Sequence, residues 1–155
     1  MASTSTNKQP LLVDRVLHYV VDTSTAVNLG INVAGGNTAV LLVNALGTDG
    51  CIIEDIYTVS RGAEETVNLY ISTANDYMRP NESLFLGQFK SSASAGTVTR
   101  FEDMPRTLTP VPYTGTEKYN QALYIPKGRA LWAARDSSTN PLAAAPFLGC
   151  QGGWY

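Results

Sequence analysis

Hydrophobic residues recur at every second position over much of the chain. The alternation is plainest from Val27 to Val33, and this period is typical of a strand with one buried face. Further short apolar runs predict strands at Val16–Val21, Val40–Val43, Cys51–Val59, Val67–Ile71, Leu84–Phe89, Leu123–Ile125, Ala130–Ala133 and Phe147–Tyr155. No window carries a sustained helical stripe, so any helix is limited to a turn or two, with Ala63–Glu65 as the candidate.

Glycine, proline and asparagine separate these runs and predict turns. The run that starts at Cys51 is expected to form a hairpin with the run at Val67, because Gly62 can supply a positive φ between them. The run at Leu123 is expected to form a second hairpin with the run at Ala130, across a Pro-Lys-Gly turn. Short strands at this spacing predict an all-β fold, an antiparallel β-sandwich or barrel of roughly 8–10 strands.

Two segments do not fit the strand pattern. Residues 1–14 are predicted to be an N-terminal arm, because Pro10 interrupts any early ladder. Residues 102–119 carry three prolines and are predicted to be a loop insertion, either one that binds a partner or one that is merely tolerated. The rest of residues 15–155 is expected to be a single sandwich domain, since a chain of this length buries enough surface to fold without disulfides or metals.

Composition narrows the classes of function. Charged residues make up 15% of the chain, against about 25% in a typical soluble domain, which suits a surface partly covered by neighbours or an extracellular domain with a Thr-rich face. The net charge is −2 and the basic residues are scattered, so we expect no nucleic-acid partner. No apolar stretch is long enough to span a membrane. The N-terminus lacks the apolar core of a signal peptide, which predicts synthesis in a cytoplasm.

The chain offers little for catalysis or metal binding. Its one histidine, His18, cannot by itself build a metal site that needs two or three, and no serine lies in a G-x-S-x-G turn. Cys51 and Cys150 have no C-x-x-C spacing and are predicted to be buried thiols. We therefore predict no cofactor, no metal site and no catalytic residue.

Adjacent carboxylates remain as candidates for glycosidase-like chemistry, which needs two carboxyl groups about 5–10 Å apart. Glu54-Asp55 lies within a strand, so the two side chains should point to opposite faces, with one at an edge or bulge. Glu64-Glu65 in a turn and Glu102-Asp103 at the start of the Pro-rich loop are predicted to be solvated charges.

The chain ends on two large aromatic residues, Trp154 and Tyr155. If exposed, they would form an adhesive patch. We therefore expect a last strand or docked end whose aromatics are buried against the fold or against a neighbour.

Five segments form a recognisable order of turns and strand ends: Asn7–Arg15, the turn Gly47-Thr48-Asp49, the strand pair within Ile52–Ile71, the hairpin Leu123–Gly128 and the terminus Gly152–Tyr155. This order resembles small virion proteins of tailed phages, notably of cyanobacterial phages. The resemblance covers most of the chain and carries no catalytic signature. The tryptophan before the last tyrosine and the Pro-rich insertion depart from the pattern.

The resemblance implies a jelly-roll or similar sandwich that acts as a capsid decoration (cement) protein. Such a protein would bind the major capsid protein on the outside of the shell, associate with itself as a homotrimer, and be located in the virion. A tail, fibre or host-binding component of the virion is the first alternative, and a carbohydrate-binding sandwich or small enzyme is the second. The candidate partner-contact residues lie in the arm, the Pro-rich loop and the C-terminus: Lys8, Pro10, Leu11, Leu12, Pro105, Pro110, Pro112, Tyr113, Trp154 and Tyr155.

Overall fold

The computed structural model describes residues 15–24, 39–73, 83–101, 122–136 and 144–154. Over these ranges the chain is all-β, as predicted, with nine strands and no α-helix. In chain order the strands are β1 (Arg15–Asp22), β2 (Val40–Asn44), β3 (Gly50–Val59), β4 (Thr66–Ser72), β5 (Ser83–Lys90), β6 (Val98–Arg100), β7 (Leu123–Pro126), β8 (Ala130–Arg135) and β9 (Phe147–Trp154).

Every observed strand except β6 coincides with a predicted apolar run. β6 has three residues in a stretch rich in serine, threonine and glycine, too short for an alternation to show. The turn of helix considered at Ala63–Glu65 is wrong, because these residues form a bend and an extended lead into β4. The predicted strand at Val27–Val33, the arm of residues 1–14 and the insertion of residues 102–119 lie outside the described residues.

The strands form two antiparallel sheets that pack as a sandwich. In sheet A the order is β1-β9-β3-β6, and β7 also pairs with β3. β7 lies along the first residues of β3, and β6 lies along the last ones. In sheet B the order is β2-β8-β4-β5. The fold is therefore an antiparallel β-sandwich, as the strand spacing predicts.

Both predicted hairpins are wrong, although their turns are present. β3 belongs to sheet A and β4 to sheet B, so the connection that contains Gly62 crosses between the sheets. β7 and β8 are divided in the same way. A turn does join them, since the N–H of Arg129 donates to the carbonyl of Pro126 at 3.2 Å and Gly128 has a φ of 79°. Turn chemistry specifies a reversal of the chain, but packing decides which sheet the next strand enters.

The inner faces of the two sheets form the main core. Leu17, Ile53 and Leu148 of sheet A meet Leu69 and Leu131 of sheet B in one buried cluster. Sheet B also buries its other face, where Tyr70, Trp132 and flanking alanines form a second cluster. All six residues of β8 are consequently buried, and a strand covered on both faces loses the alternation of polar and apolar positions.

Glu65 and Arg135 form a buried ion pair at one end of the sandwich. Arg135 Nη1 donates to Glu65 Oε1 at 3.2 Å, and the two side chains are 0% and 1% exposed, glutamate first. Arg135 Nη2 donates to the carbonyl of Ser24 at 3.4 Å, which ties the end of β8 to the residues just after β1. The expectation of a solvated Glu64-Glu65 pair is wrong for Glu65. Only Glu64 is exposed, where it pairs with Lys90 at 3.0 Å.

The two carboxylates differ because the backbone of Glu65 is drawn into the fold. The N–H of Glu65 donates to Ser91 Oγ at 3.0 Å, and the N–H of Ser91 donates to the carbonyl of Glu65 at 2.8 Å. The hydroxyl of Ser91 donates to the carbonyl of Ala63 at 3.2 Å. These bonds hold Glu65 beside the end of β8, where its carboxylate meets Arg135.

Removing one member of the buried pair should be far more damaging than removing one member of the exposed pair. Arg135→Leu leaves a buried carboxylate without its cation, which should lower the free energy of unfolding by about 3–5 kcal/mol. Glu64→Gln, the matched exposed control, should cost less than about 1 kcal/mol. Urea denaturation of the two variants measures both values.

The double variant Glu65→Leu/Arg135→Leu should recover much of the loss, because no buried charge remains unpaired. An Arg135→Leu variant no less stable than Glu64→Gln would show that the buried pair does not stabilise this end of the sandwich.

Candidate functional site

Of the ten predicted contact residues, the described part of the chain contains only Trp154. Its side chain is 6% exposed and belongs to the main core. It makes an edge-to-face contact with Tyr19, with ring centroids 6.5 Å apart. Trp154 is thus buried against the chain's own fold, which is one of the two environments expected from the sequence, the other being a neighbouring molecule. Its ring stabilises the sandwich. The other nine residues of that set lie outside the described ranges.

The described carboxylates do not converge on one site. Glu54 is the extra residue of a bulge, since Ile53 pairs with Gly152 and Asp55 pairs with Gln151. This confirms the expectation of a bulge at Glu54-Asp55. Asp55 accepts a hydrogen bond from Arg100 Nε at 2.9 Å, while Glu65 is sequestered with Arg135. Among the described residues, no three histidine, cysteine or acidic side chains lie close enough together to hold a metal ion.

The outer face of sheet A is the surface best suited to contact another molecule. We define it by the outward-pointing residues of β1, β9, β3 and β6, which lie in rows across the sheet. The corresponding face of sheet B is buried, as Tyr70 and Trp132 show. The rows are Asp22, Phe147, Val59 and Val98; Val20, Gly149, Tyr57 and Arg100; His18, Gln151 and Asp55; and Val16, Gly153 and Ile52.

Tyr57 lies across the centre of the outer face. Its ring covers Gly149 on the neighbouring strand, where a Cβ atom would overlap the ring. Tyr57 Oη and His18 Nε2 are 2.9 Å apart, so a hydrogen bond joins β3 to β1 over the top of β9. The bare backbone at Gly149 therefore allows an aromatic side chain to lie flat on the sheet and to reach a histidine two strands away.

A second cluster lies at the end of the same face. The guanidinium of Arg61 is 3.8 Å from the centroid of the Phe147 ring, and its Nη2 is 2.9 Å from Asp22 Oδ2. Burial by itself would raise the pKa of Asp22. Hydrogen bonds from Ser24, and the hydrogen bond and charge of Arg61, outweigh that effect and hold the pKa of Asp22 below its usual value. Asp22 is thus ionised at neutral pH and keeps Arg61 over the aromatic ring.

Apolar side chains are exposed around these ordered polar groups. Val16 is 83% exposed, Val20 54% and Val98 50%. The outer face thus combines exposed apolar side chains with polar groups whose positions are already set by internal hydrogen bonds. This combination suits a broad protein contact.

The sequence pattern does not reveal this surface. Alternation shows which residues of one strand face outward, but residues such as Tyr57 and Val98 can be assigned to a common surface only once the neighbouring strands are known. The alternation around His18, with Val16 and Val20 at strand spacing, predicts the strand on which His18 does lie. Its hydrogen-bond partner, Tyr57, is 39 positions away in sequence.

The two thiols are buried, as predicted. Cys51 and Cys150 are both free and lie in the main core on the neighbouring strands β3 and β9. Burial raises the pKa of each thiol to about 12. The reactive thiolate is therefore strongly disfavoured at neutral pH.

Gly149→Ala should displace the ring of Tyr57 and break its hydrogen bond to His18. Because the chain has one histidine, its NMR ring signals report on this bond without ambiguity. We expect Gly149→Ala and Tyr57→Phe to shift the His18 signals in the same direction. Gly47→Ala, whose added methyl group meets nothing within 4 Å, should leave them unchanged. Unchanged His18 signals in Gly149→Ala would contradict the arrangement.

Both thiols should resist a thiol-specific reagent at pH 8 in the folded protein and react quickly in guanidinium chloride. The free energy of unfolding should also fall as the pH rises from 9 towards 12. In the unfolded chain the thiols ionise near pH 9, whereas in the folded protein they stay protonated up to about pH 12. Labelling kinetics and urea titrations at several pH values test these expectations. Rapid labelling of either cysteine in the folded state would show that it is accessible.

No helix among the described residues is long and apolar enough to cross a membrane. No protein family, curated protein or solved structure matches the chain. The features of the chain that bear on its function are therefore the outer face of sheet A and the pattern of the sequence.

Proposed function

We propose that this chain is a capsid decoration protein, a non-enzymatic component that binds the outside of a phage capsid shell and stabilises it. The observation that supports the proposal best is the outer face of sheet A, a continuous sheet surface with exposed valines on an ordered polar framework. In this proposal the partner is the major capsid protein, the copies associate as a homotrimer, and the protein is located in the virion.

The topology of the sandwich supports the proposed relationship to jelly-roll virion proteins. The first and last described strands are neighbours in sheet A, and β2 and β8 are neighbours in sheet B. Two interleaved Greek keys, the feature of a jelly roll, place early and late strands side by side in this way. We infer a jelly roll on that ground.

Binding by the outer face also explains its physical character. A decoration protein gains stability for the shell by burying surface across neighbouring subunits, and a standard interface buries about 1,600 Å² in total. The ion pair of Arg61 with Asp22 and the hydrogen bond of Tyr57 with His18 already hold these side chains. Docking would therefore cost little side-chain entropy. The low content of charged residues, 15% of the chain, reduces the desolvation cost of a covered surface.

The copy number in purified particles tests the proposed role. Quantitative mass spectrometry against the major capsid protein should find hundreds of copies in a fixed ratio to capsid subunits. A dozen copies or so would place the protein in the tail instead. Absence from particles would overturn the structural role and favour a ligand-binding or enzymatic protein.

Two variants of equal chemistry test the docking surface. Val98→Lys puts a charge on the outer face of sheet A, and Leu84→Lys puts one on β5 of sheet B, at side chains that are 50% and 65% exposed. We expect Val98→Lys to weaken binding to shells that lack the protein by at least about tenfold, while Leu84→Lys binds normally. The reverse result would place the docking surface on sheet B.

A further inference from the structure

Among the described residues, five strands pair along one edge only: β1, β6 and β7 in sheet A, and β2 and β5 in sheet B. Unpaired edges invite pairing with another chain, and proteins usually shorten, bend or charge them. β6 has three residues and β7 has four. β2 and β5 each carry a bulge, with Leu42 and Leu86 as their extra residues, and β5 ends in a lysine. β1 pairs with β9 over eight residues without a register shift.

β1 lacks the usual protective features in its sequence as well. Its charged residues, Arg15 and Asp22, stand at its two ends, and it contains no proline. Within the described residues, no strand pairs with its other edge. Two valines on its outward side, Val16 and Val20, are 83% and 54% exposed. A long, regular, apolar edge of this kind is suited to strand addition.

The order of residues along β1 suits a second copy of this chain as the partner. Val16 and Val20 flank His18 symmetrically, each two positions away and on the same face. Antiparallel pairing about a two-fold axis perpendicular to the sheet places residues of the same face opposite one another. An axis at His18 therefore puts Val16 of one copy opposite Val20 of the other, twice. It also puts Leu17 opposite Tyr19, which is 46% exposed in a single copy.

We propose that β1 pairs with β1 of a second copy of this chain, antiparallel about a two-fold axis at His18, and joins the two A sheets into one. The contact is isologous, so it closes on itself and does not propagate into fibres. It goes beyond the proposed function, because a homotrimer is held by a three-fold contact and this contact is two-fold. With both contacts, two trimers would join into a hexamer. The mass in solution tests the pairing, and the copy number in particles tests decoration, so the two can fail separately.

The mass of the purified protein, measured by light scattering or sedimentation over a range of concentrations, tests the pairing. We expect the unmodified protein to form a dimer, or a larger assembly with an even number of copies. Val16→Lys and Val20→Lys should each weaken the association by about tenfold or more, because each change occurs twice across the axis. Leu84→Lys is the control at an equally exposed site of sheet B and should leave the association unchanged. All of these positions are exposed, so we expect the variants to stay folded by circular dichroism.

A charge-paired double variant tests the register itself. In Val16→Lys/Val20→Glu, each new lysine faces a new glutamate of the other copy, so the association should recover. In Val16→Lys/Val20→Lys, like charges face each other and it should not. His18→Cys should form a disulfide-linked dimer under mild oxidation, since the same residue of the two copies meets at the axis, whereas Leu84→Cys should not. A monomer at high concentration, or a trimer unaffected by Val20→Lys, would overturn the proposal, as would failure of the charge-paired variant to recover.

Discussion

Sheet B is buried on both faces, whereas sheet A is buried only on its inner face. This difference decides which sheet face of the described structure is available for contact with another molecule. Tyr70 and Trp132 occupy the second buried face of sheet B, so β8 carries no outward polar position. Sheet A meets sheet B through one face and presents the other. Exposed apolar patches mark sites of contact with other molecules. The proposed docking therefore depends on the outer face of sheet A, and the proposed self-association depends on its edge strand β1.

Arg135 links the two sheets at one end, through its ion pair on one side and a hydrogen bond on the other. Arg135 of β8 reaches Glu65, which precedes β4, and also the carbonyl of Ser24, which follows β1. Glu65 Oε2 and Arg135 Nε have no hydrogen-bond partner among the described residues, so the pair does not recover its full desolvation cost. Such a pair favours one arrangement of the strands over others, because a shift of either strand would leave a buried charge unpaired.

Glycine shapes the outer face as much as the exposed side chains do. At Gly149 the missing Cβ admits the Tyr57 ring, and the ring in turn reaches His18. At Gly152 an added Cβ would overlap the carbonyl oxygen of Ile52, next to the bulge at Glu54. β9 approaches β3 closely at these two positions because glycine has no side chain there. The Gly-rich segment at the C-terminus, predicted from sequence as a last strand or docked end, is a strand that lies between β1 and β3 in sheet A.

The sequence by itself determined where eight of the nine described strands lie. It also determined that Cys51 and Cys150 are buried and that Glu54-Asp55 disrupts a strand. These features depend on local alternation and composition. Only the tertiary structure decided which sheet each strand joins, and hence that neither predicted hairpin forms. It also decided that Glu65 is buried while Glu64 is exposed, and that Tyr57 meets His18. The reason is that strand order and cross-strand partners are set by burial shared among residues far apart in the chain, and a single strand's pattern carries no record of its neighbours.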